Sequence, residues 1–194
     1  MTRKFASGAI AATALLAACG EQAPPAPEPQ TIVLEDTGPN LPQAELSPDT
    51  SRAGWQVAED GQAIHFAEAG EAPWLTLACE LDETPIGFTI IRHAEAFPGE
   101  SALFPFVGNG MISRFLADAT LHRTTEGNEW RWEAHVPAAD PQLDIFEGTR
   151  DLTATLPGRG MLEIAGSRIP GEFVAWCRAG GRVPTTEPTA SVEP

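Results

Sequence analysis

The sequence predicts a mainly β domain, built of antiparallel hairpins that form a sandwich or a partly open barrel, with one or two short helices. Three observations predict it. Between Trp55 and Gly180, apolar and polar residues alternate in short runs, the period of a half-buried strand. Turn pairs such as Asp60-Gly61 and Glu126-Gly127 separate those runs, as expected of hairpins. Helical signals occur only near the C-terminal end. The alternative is an α+β arrangement, a single sheet with the C-terminal helix packed on one face.

In the first hairpin, Trp55–Phe66, Asp60-Gly61 carries the type I′ signal. That turn sets Trp55 against Phe66 and Val57 against Ile64 on one face, with Gln56 opposite His65 on the other. The second hairpin joins 74–81 to 86–93 through Asp82-Glu83-Thr84-Pro85. Its four-residue loop sets Leu81 against Ile86, Cys79 against Phe88 and Leu77 against Ile90. The third turns at Glu126-Gly127, aligning Leu121 with Trp132, Ala119 with Ala134 and Ala117 with Val136 on the inward face. Outward, His122 then meets Arg131, Thr120 meets Glu133, and Asp118 meets His135. Ala102–Val107, Leu152–Leu156 and Met161–Ile164 supply further short strands.

Asp140-Pro141 opens a two-turn helix through Phe146, with Asp140 as N-cap and proline in the first turn. A last helix runs from Pro170 to Arg178 and ends at Gly180-Gly181. On it Phe173, Trp176 and Cys177 stand at i, i+3 and i+4 and share one face.

At the N-terminus, Arg3 and Lys4 precede an apolar, alanine-rich run from Phe5 to Ala18 that ends in Leu16-Ala17-Ala18-Cys19. The run is shorter than the roughly 20 apolar residues that span a bilayer. Leu16-Ala17-Ala18-Cys19 resembles the lipobox of bacterial lipoproteins. The resemblance covers residues 1–20 and implies export, removal of residues 1–18, diacylglyceryl on the Cys19 sulfur and a palmitate-type N-acyl chain. More than one acyl chain is what makes such anchoring stable. Gly20, where inner-membrane retention signals carry aspartate, implies the outer membrane, facing the periplasm. The resemblance also implies an oxidising compartment in which the lipid consumes Cys19, leaving Cys79 and Cys177 to pair. The C-terminal helix would bring Cys177 to Cys79 by laying its Phe173/Trp176/Cys177 face on the sheet.

Residues 19–53 read as the lipidated cysteine and an acidic, proline-rich tether, with Thr31-Ile32-Val33-Leu34 as a short apolar exception. Residues 54–180 form the β-rich domain and 181–194 a low-complexity tail. Formal charge is −15. Such acidity disfavours nucleic acid and anionic lipid headgroups as partners, which attract basic surfaces.

Candidate chemistry is sparse. Asp118 with His135, and Glu133 on the same strand face, form a weak polar constellation that His122 extends. It suits a small hydrolase only if a nucleophile is presented, and Ser101 and Ser113 lack the Gly-x-Ser-x-Gly context. Gly108-Asn109-Gly110-Met111 and Gly158-Arg159-Gly160-Met161 read as tight turns, without the third glycine of a dinucleotide loop. No cofactor motif or histidine-rich metal spacing is present. The tryptophans share faces with core residues, which favours packing over a carbohydrate platform.

Cys79 and the Phe173–Arg178 segment resemble those of small uncharacterised alphaproteobacterial lipoproteins, which implies no site to transfer. Lysozyme-inhibitor lipoproteins share the plan of anchor, small β domain and one disulfide, but their loop uses a tyrosine motif and this chain has no tyrosine. The leading expectation is a non-enzymatic, periplasm-facing module that binds or scaffolds an envelope protein or cell-wall component. The alternatives are an inhibitor of a cell-wall-degrading enzyme, presented through Val107–Met111, and the hydrolase described above.

Overall fold

A computed structural model describes residues 44–124 and 127–182. The expected signal segment, Cys19, Thr31–Leu34 and the expected tail beyond Arg182 lie outside the described residues. Nine strands follow in chain order: β1 (Gly54–Val57), β2 (Ala63–Ala67), β3 (Leu75–Glu80), β4 (Gly87–Arg92), β5 (Ser101–Gly108), β6 (Met111–Thr124), β7 (Gly127–Pro137), β8 (Leu152–Thr155) and β9 (Met161–Ile164). They form one sheet in the order β1-β2-β3-β4-β7-β6-β5-β8-β9. Every pairing is antiparallel, and the sheet curls into a nearly closed barrel.

The lead-in to β1 draws the two edges together. Thr50 Oγ1 donates to the Glu163 carbonyl of β9 at 2.6 Å, Glu45 N–H to the Gly158 carbonyl at 2.9 Å, and Met161 N–H to Ser47 Oγ at 2.9 Å. Among the described residues, bonding to the barrel edge is already in place at Glu45. The expected tether boundary at residue 53 falls too late, because polar side chains in this segment find backbone partners on the edge strand.

Inward positions of successive strands fill the barrel: Phe66, Leu77, Phe88, Ile90, Phe106 and Phe115 are fully buried. Phe106 meets Phe115 edge-on at 5.7 Å between ring centroids and Phe146 at 5.2 Å. That second contact places Phe146, Leu143 and Ile145, all from one short helix, over the aromatic interior.

That helix, Pro141–Phe146, forms as expected at Asp140, whose carboxylate accepts from Gln142 N–H at 2.8 Å. It is a 3-10 helix, the tighter form common in short pieces. Helix α1 (Ile169–Arg178) has proline in its first turn and is followed by Gly180 and Gly181 at φ +70° and +76°. Both glycines occupy the left-handed conformation that ends many helices. Phe173 packs on Phe88 at 5.9 Å between ring centroids. The expected disulfide joins α1 to β3, with the Cα atoms of Cys79 and Cys177 5.7 Å apart. Arg178 then ties α1 to the 3-10 helix, donating to the Ala138 carbonyl at 2.9 Å, Asp144 at 2.7 Å and Glu147 at 2.6 Å.

Hairpins β1–β2 and β3–β4 have the expected registers, Trp55 opposite Phe66 and Cys79 opposite Phe88. The first turn differs in type. Type I′ requires positive φ at both central residues, and among the described non-glycine residues only Asn109 has positive φ. Instead Gly61 N–H donates to the Ala58 carbonyl at 2.9 Å, with Gly61 at φ +70°. The glycine thus follows the tight turn instead of sitting at its centre.

The β6–β7 register corrects the expectation. Leu121 faces Trp130, Ala119 faces Trp132 and Asp118 faces Glu133, two residues away from the predicted alignment. A two-residue slip leaves every side chain on its own face, so hydrophobic alternation is blind to it. The strands close with Thr124 opposite Gly127, and this alignment sets Ala119, not Leu121, across from the buried Trp132 and Leu121 across from Trp130. The predicted Ala117–Val136 pair does not form either. Below Asp118 the 3-10 helix supplies partners to β6, with Ser113 Oγ donating to the Gln142 carbonyl at 2.7 Å and Arg114 N–H to Gln142 Oε1 at 2.9 Å.

Both Gly-x-Gly-Met segments are strand-to-strand turns. Asn109-Gly110, at φ +48° and +81°, joins β5 to β6. Gly158 and Gly160, at φ +76° and +72°, lie between β8 and β9.

Candidate functional site

Residues on the outer face of the barrel carry its available chemistry, and the β6–β7 register decides which of them meet. The expected Asp118–His135 pair is not formed. Asp118 lies opposite Glu133 and accepts from Ser101 Oγ. Glu133 is held by Arg131, whose Nε donates to it at 2.6 Å. His122 lies opposite Glu129. Because β7 places Glu129 and His135 six residues apart, about 20 Å at the strand rise, His122 and His135 do not converge. The polar face expected from Asp118, His122, Glu133 and His135 is therefore divided among separate partners, and Ser101 has an acid beside it but no imidazole.

His135 belongs to a different group. The β4–β7 pairing sets it opposite Thr89. Thr89 Oγ1 donates to Glu80 Oε1 and lies 3.0 Å from His135 Nδ1. Since Thr89 has given its one proton to Glu80, the second bond is made by Nδ1–H donating to Thr89 Oγ1. On the other side of the ring, Nε2 stands 3.1 Å from Glu83 Oε2. Glu83 belongs to the β3–β4 turn and Glu80 to the end of β3. One ligand atom from each of Glu80, Glu83 and His135 lies within 4.8 Å of the others. A cavity of about 350 Å³ beside them is lined by Glu83, Thr84, Pro85, Gly87, His135 and Pro137.

No local spacing marks this trio, because the β4–β7 pairing that joins it links two separate hairpins. Gly87 is the one readable signal. A glycine within a strand often marks close approach of other groups. Here a Cβ would stand 2.3 Å from Glu83 Oε2 and 2.7 Å from His135 Cε1.

A second polar line crosses β2 and β3. Thr76 Oγ1 lies 2.8 Å from His65 Nδ1 and 2.9 Å from His93 Nε2. Burial holds the His93 pKa down to about 4, assisted by the charges of Arg131, His65, Arg92 and His122. Arg92 is buried at the end of β4 and donates to the Trp74 and His93 carbonyls, each at 3.0 Å. Desolvation lowers its pKa.

The outer face of β5–β6 carries four exposed apolar side chains with one charged residue among them. Leu103 stands opposite Leu116 and Val107 opposite Ile112, with Pro105 opposite Arg114 between them. Leu103, Val107, Ile112 and Leu116 are 55, 46, 51 and 61 % exposed. The strip ends at the Asn109-Gly110 turn, which is braced from inside: Asn109 Nδ2 donates to the Ile145 carbonyl at 2.8 Å, and its Oδ1 accepts from Arg150 N–H at 3.0 Å.

The tryptophans pack with the core. Trp55 and Trp132 are buried, and Trp74, Trp130 and Trp176 lie against it. Site and fold together define a disulfide-bridged, nearly closed β-barrel with a polar imidazole–carboxylate group and an apolar strip on its outside. The chain matches no protein-family model, no curated protein and no solved structure.

Proposed function

We propose that the chain is an exported lipoprotein, anchored in the outer membrane through lipidated Cys19, whose barrel faces the periplasm as a non-catalytic binding module. The Leu16-Ala17-Ala18-Cys19 motif supports the anchor. The Cys79–Cys177 bridge supports an oxidising compartment. Mass spectrometry of the N-terminal peptide from membrane-extracted protein tests the anchor. The expected species begins at a triacylated Cys19, and a Cys19→Ala variant loses membrane attachment. A chain that begins elsewhere or remains soluble overturns the reading.

The observation that carries the binding reading is the exposed strip of Leu103, Leu116, Val107 and Ile112. Exposed apolar surface set among polar groups marks interaction sites, and here Arg114 stands between the two apolar pairs. On a chain of formal charge −15, the complementary partner is an envelope protein with an apolar centre and a basic rim. Leu103→Glu with Leu116→Glu is expected to weaken capture of that partner from detergent-solubilised envelopes at least about tenfold, by placing charge in the apolar contact. Capture by the parent chain should also weaken as salt rises. Exposed positions tolerate such changes within about 0.5 kcal/mol of stability, so thermal unfolding serves as the control. Equal capture of the same proteins by both forms, or no specific partner for the parent, counts against this surface.

The braced Asn109-Gly110 tip favours a second reading, an inhibitor of a cell-wall-degrading enzyme. Titration of lysozyme, a basic enzyme of that class, decides it: inhibition that depends on Val107 and Ile112 supports the reading, and undiminished lysozyme activity removes it.

A further inference from the structure

The geometry points to a divalent-metal site, suited to zinc, formed by His135 of β7 with Glu80 and Glu83 of the β3–β4 hairpin. With Nδ1–H donating to Thr89, Nε2 is the ring nitrogen left to ligate, and Glu83 Oε2 lies 3.1 Å from it. Glu80 Oε2 lies on the other side of the ring, 3.6 Å from Nδ1, and one ligand atom from each of the three residues lies within 4.8 Å of the others. Either a proton on the ring or a metal ion balances the two carboxylates, and zinc titration separates the two.

The arrangement also resembles the construction of zinc sites in general. A ligating histidine usually donates its other ring N–H to a supporting acceptor. Here that acceptor is Thr89, which also fixes Glu80 through its own hydroxyl proton. Three protein ligands with an open position are the pattern of zinc sites that accept water or a substrate, and the 350 Å³ cavity at His135 leaves that position free. Bonds of about 2.0–2.1 Å place tetrahedral ligands roughly 3.3 Å apart. Glu83 Oε2 already stands at about that distance from Nε2, and rotation of the Glu80 and Glu83 carboxylates toward Nε2 closes the remaining spread of up to 4.8 Å.

Gly87 is an independent observation. It leaves open the space between the three groups: a Cβ would lie 2.3 Å from Glu83 Oε2, 2.7 Å from His135 Cε1 and 3.2 Å from Glu80 Oε2, so the ends of these side chains would have to shift. The cradle stands over a buried backbone position in β4, with ligands reaching it from three segments: the end of β3, the turn and β7.

The test uses the full chain in detergent with Cys19→Ser, so that no unpaired thiol competes, freed of metal by chelator and titrated calorimetrically with zinc chloride alone. The expected result is one zinc per chain with a micromolar or tighter Kd. Glu83→Gln is expected to weaken binding at least tenfold and His135→Ala about a hundredfold. Thr89→Val, which removes only the supporting hydroxyl, is expected to weaken it about 10- to 100-fold. In the parent chain the His135 ring resonances should shift on zinc addition. His135 and Glu83 are exposed, so these variants keep the fold, and circular dichroism checks that they do. Binding that is equally tight in His135→Ala, or that has several equivalent sites per chain, overturns the proposal in favour of diffuse attraction to the acidic surface. No binding below millimolar zinc overturns it in favour of a protonated His135 held between two carboxylates.

Discussion

Replacing both Cys79 and Cys177 by alanine is expected to lower the unfolding free energy by about 4–5 kcal/mol, the chain-entropy value for a loop of this size. The two residues are 98 apart in sequence, so the bridge restricts most of the packed chain in its unfolded state. The loss is large against the roughly 5–15 kcal/mol that stabilises a typical domain. The native contacts around the bridge argue that the effect acts mainly on the unfolded chain. Helix α1 keeps Phe173 on Phe88, and Arg178 keeps its bonds to Ala138, Asp144 and Glu147. Without the bridge α1 should therefore remain docked, and far-ultraviolet circular dichroism of the variant should match the parent. Urea unfolding of the two forms checks the magnitude, and treating the parent with reductant should reproduce the double variant. A midpoint unchanged by either treatment would show that the bridge constrains little that the packing does not already hold.

How much of this molecule was legible in its sequence depended on whether the deciding interaction was local. The β1–β2 and β3–β4 registers were readable because turn length and alternation constrain them together. The covering helix and its bond to Cys79 were readable from a three-residue face, Phe173, Trp176 and Cys177, combined with the compartment implied by the N-terminal motif. The β6–β7 register was not, since alternation repeats every second residue and does not distinguish Trp132 opposite Ala119 from Trp132 opposite Leu121. That slip separated Asp118 from His135 and removed the constellation built on them. The partners His135 does have, Thr89, Glu80 and Glu83, come from the other hairpin, and only the β4–β7 pairing supplies them. Long-range pairing between hairpins leaves almost no trace in one sequence; the trace here is Gly87, a glycine at a strand position where a neighbour needs the space.

Lowering the pH from about 6.5 to 4 is expected to cost the fold about 3 kcal/mol through His93 alone. The imidazole is mostly buried, and its pKa is held down to about 4 from the ordinary 6.5. Desolvation is the main cause. The charged and titratable groups facing it from neighbouring elements act in the same direction: His65 of β2, Arg92 of β4, Arg131 of β7 and His122 of β6. A depressed histidine pKa means that the unfolded chain takes up a proton which the folded chain refuses. The contribution is therefore fully present above pH 6.5, falls by about 1.4 kcal/mol for each pH unit below it, and levels off near pH 4. Carboxylates titrate at the lower end of this window, so the comparison must be with a variant, not with the parent at neutral pH. His93→Gln retains a side chain able to bond Thr76 Oγ1 and has no proton to gain. Urea unfolding of parent and variant from pH 7.5 to 4.5 should show the parent losing stability more steeply below 6.5, with the difference between the two curves changing by roughly 1.4 kcal/mol per pH unit. Parallel curves would mean that protonated His93 is accommodated beside Arg131 and Arg92, and that water reaches the ring in the folded state.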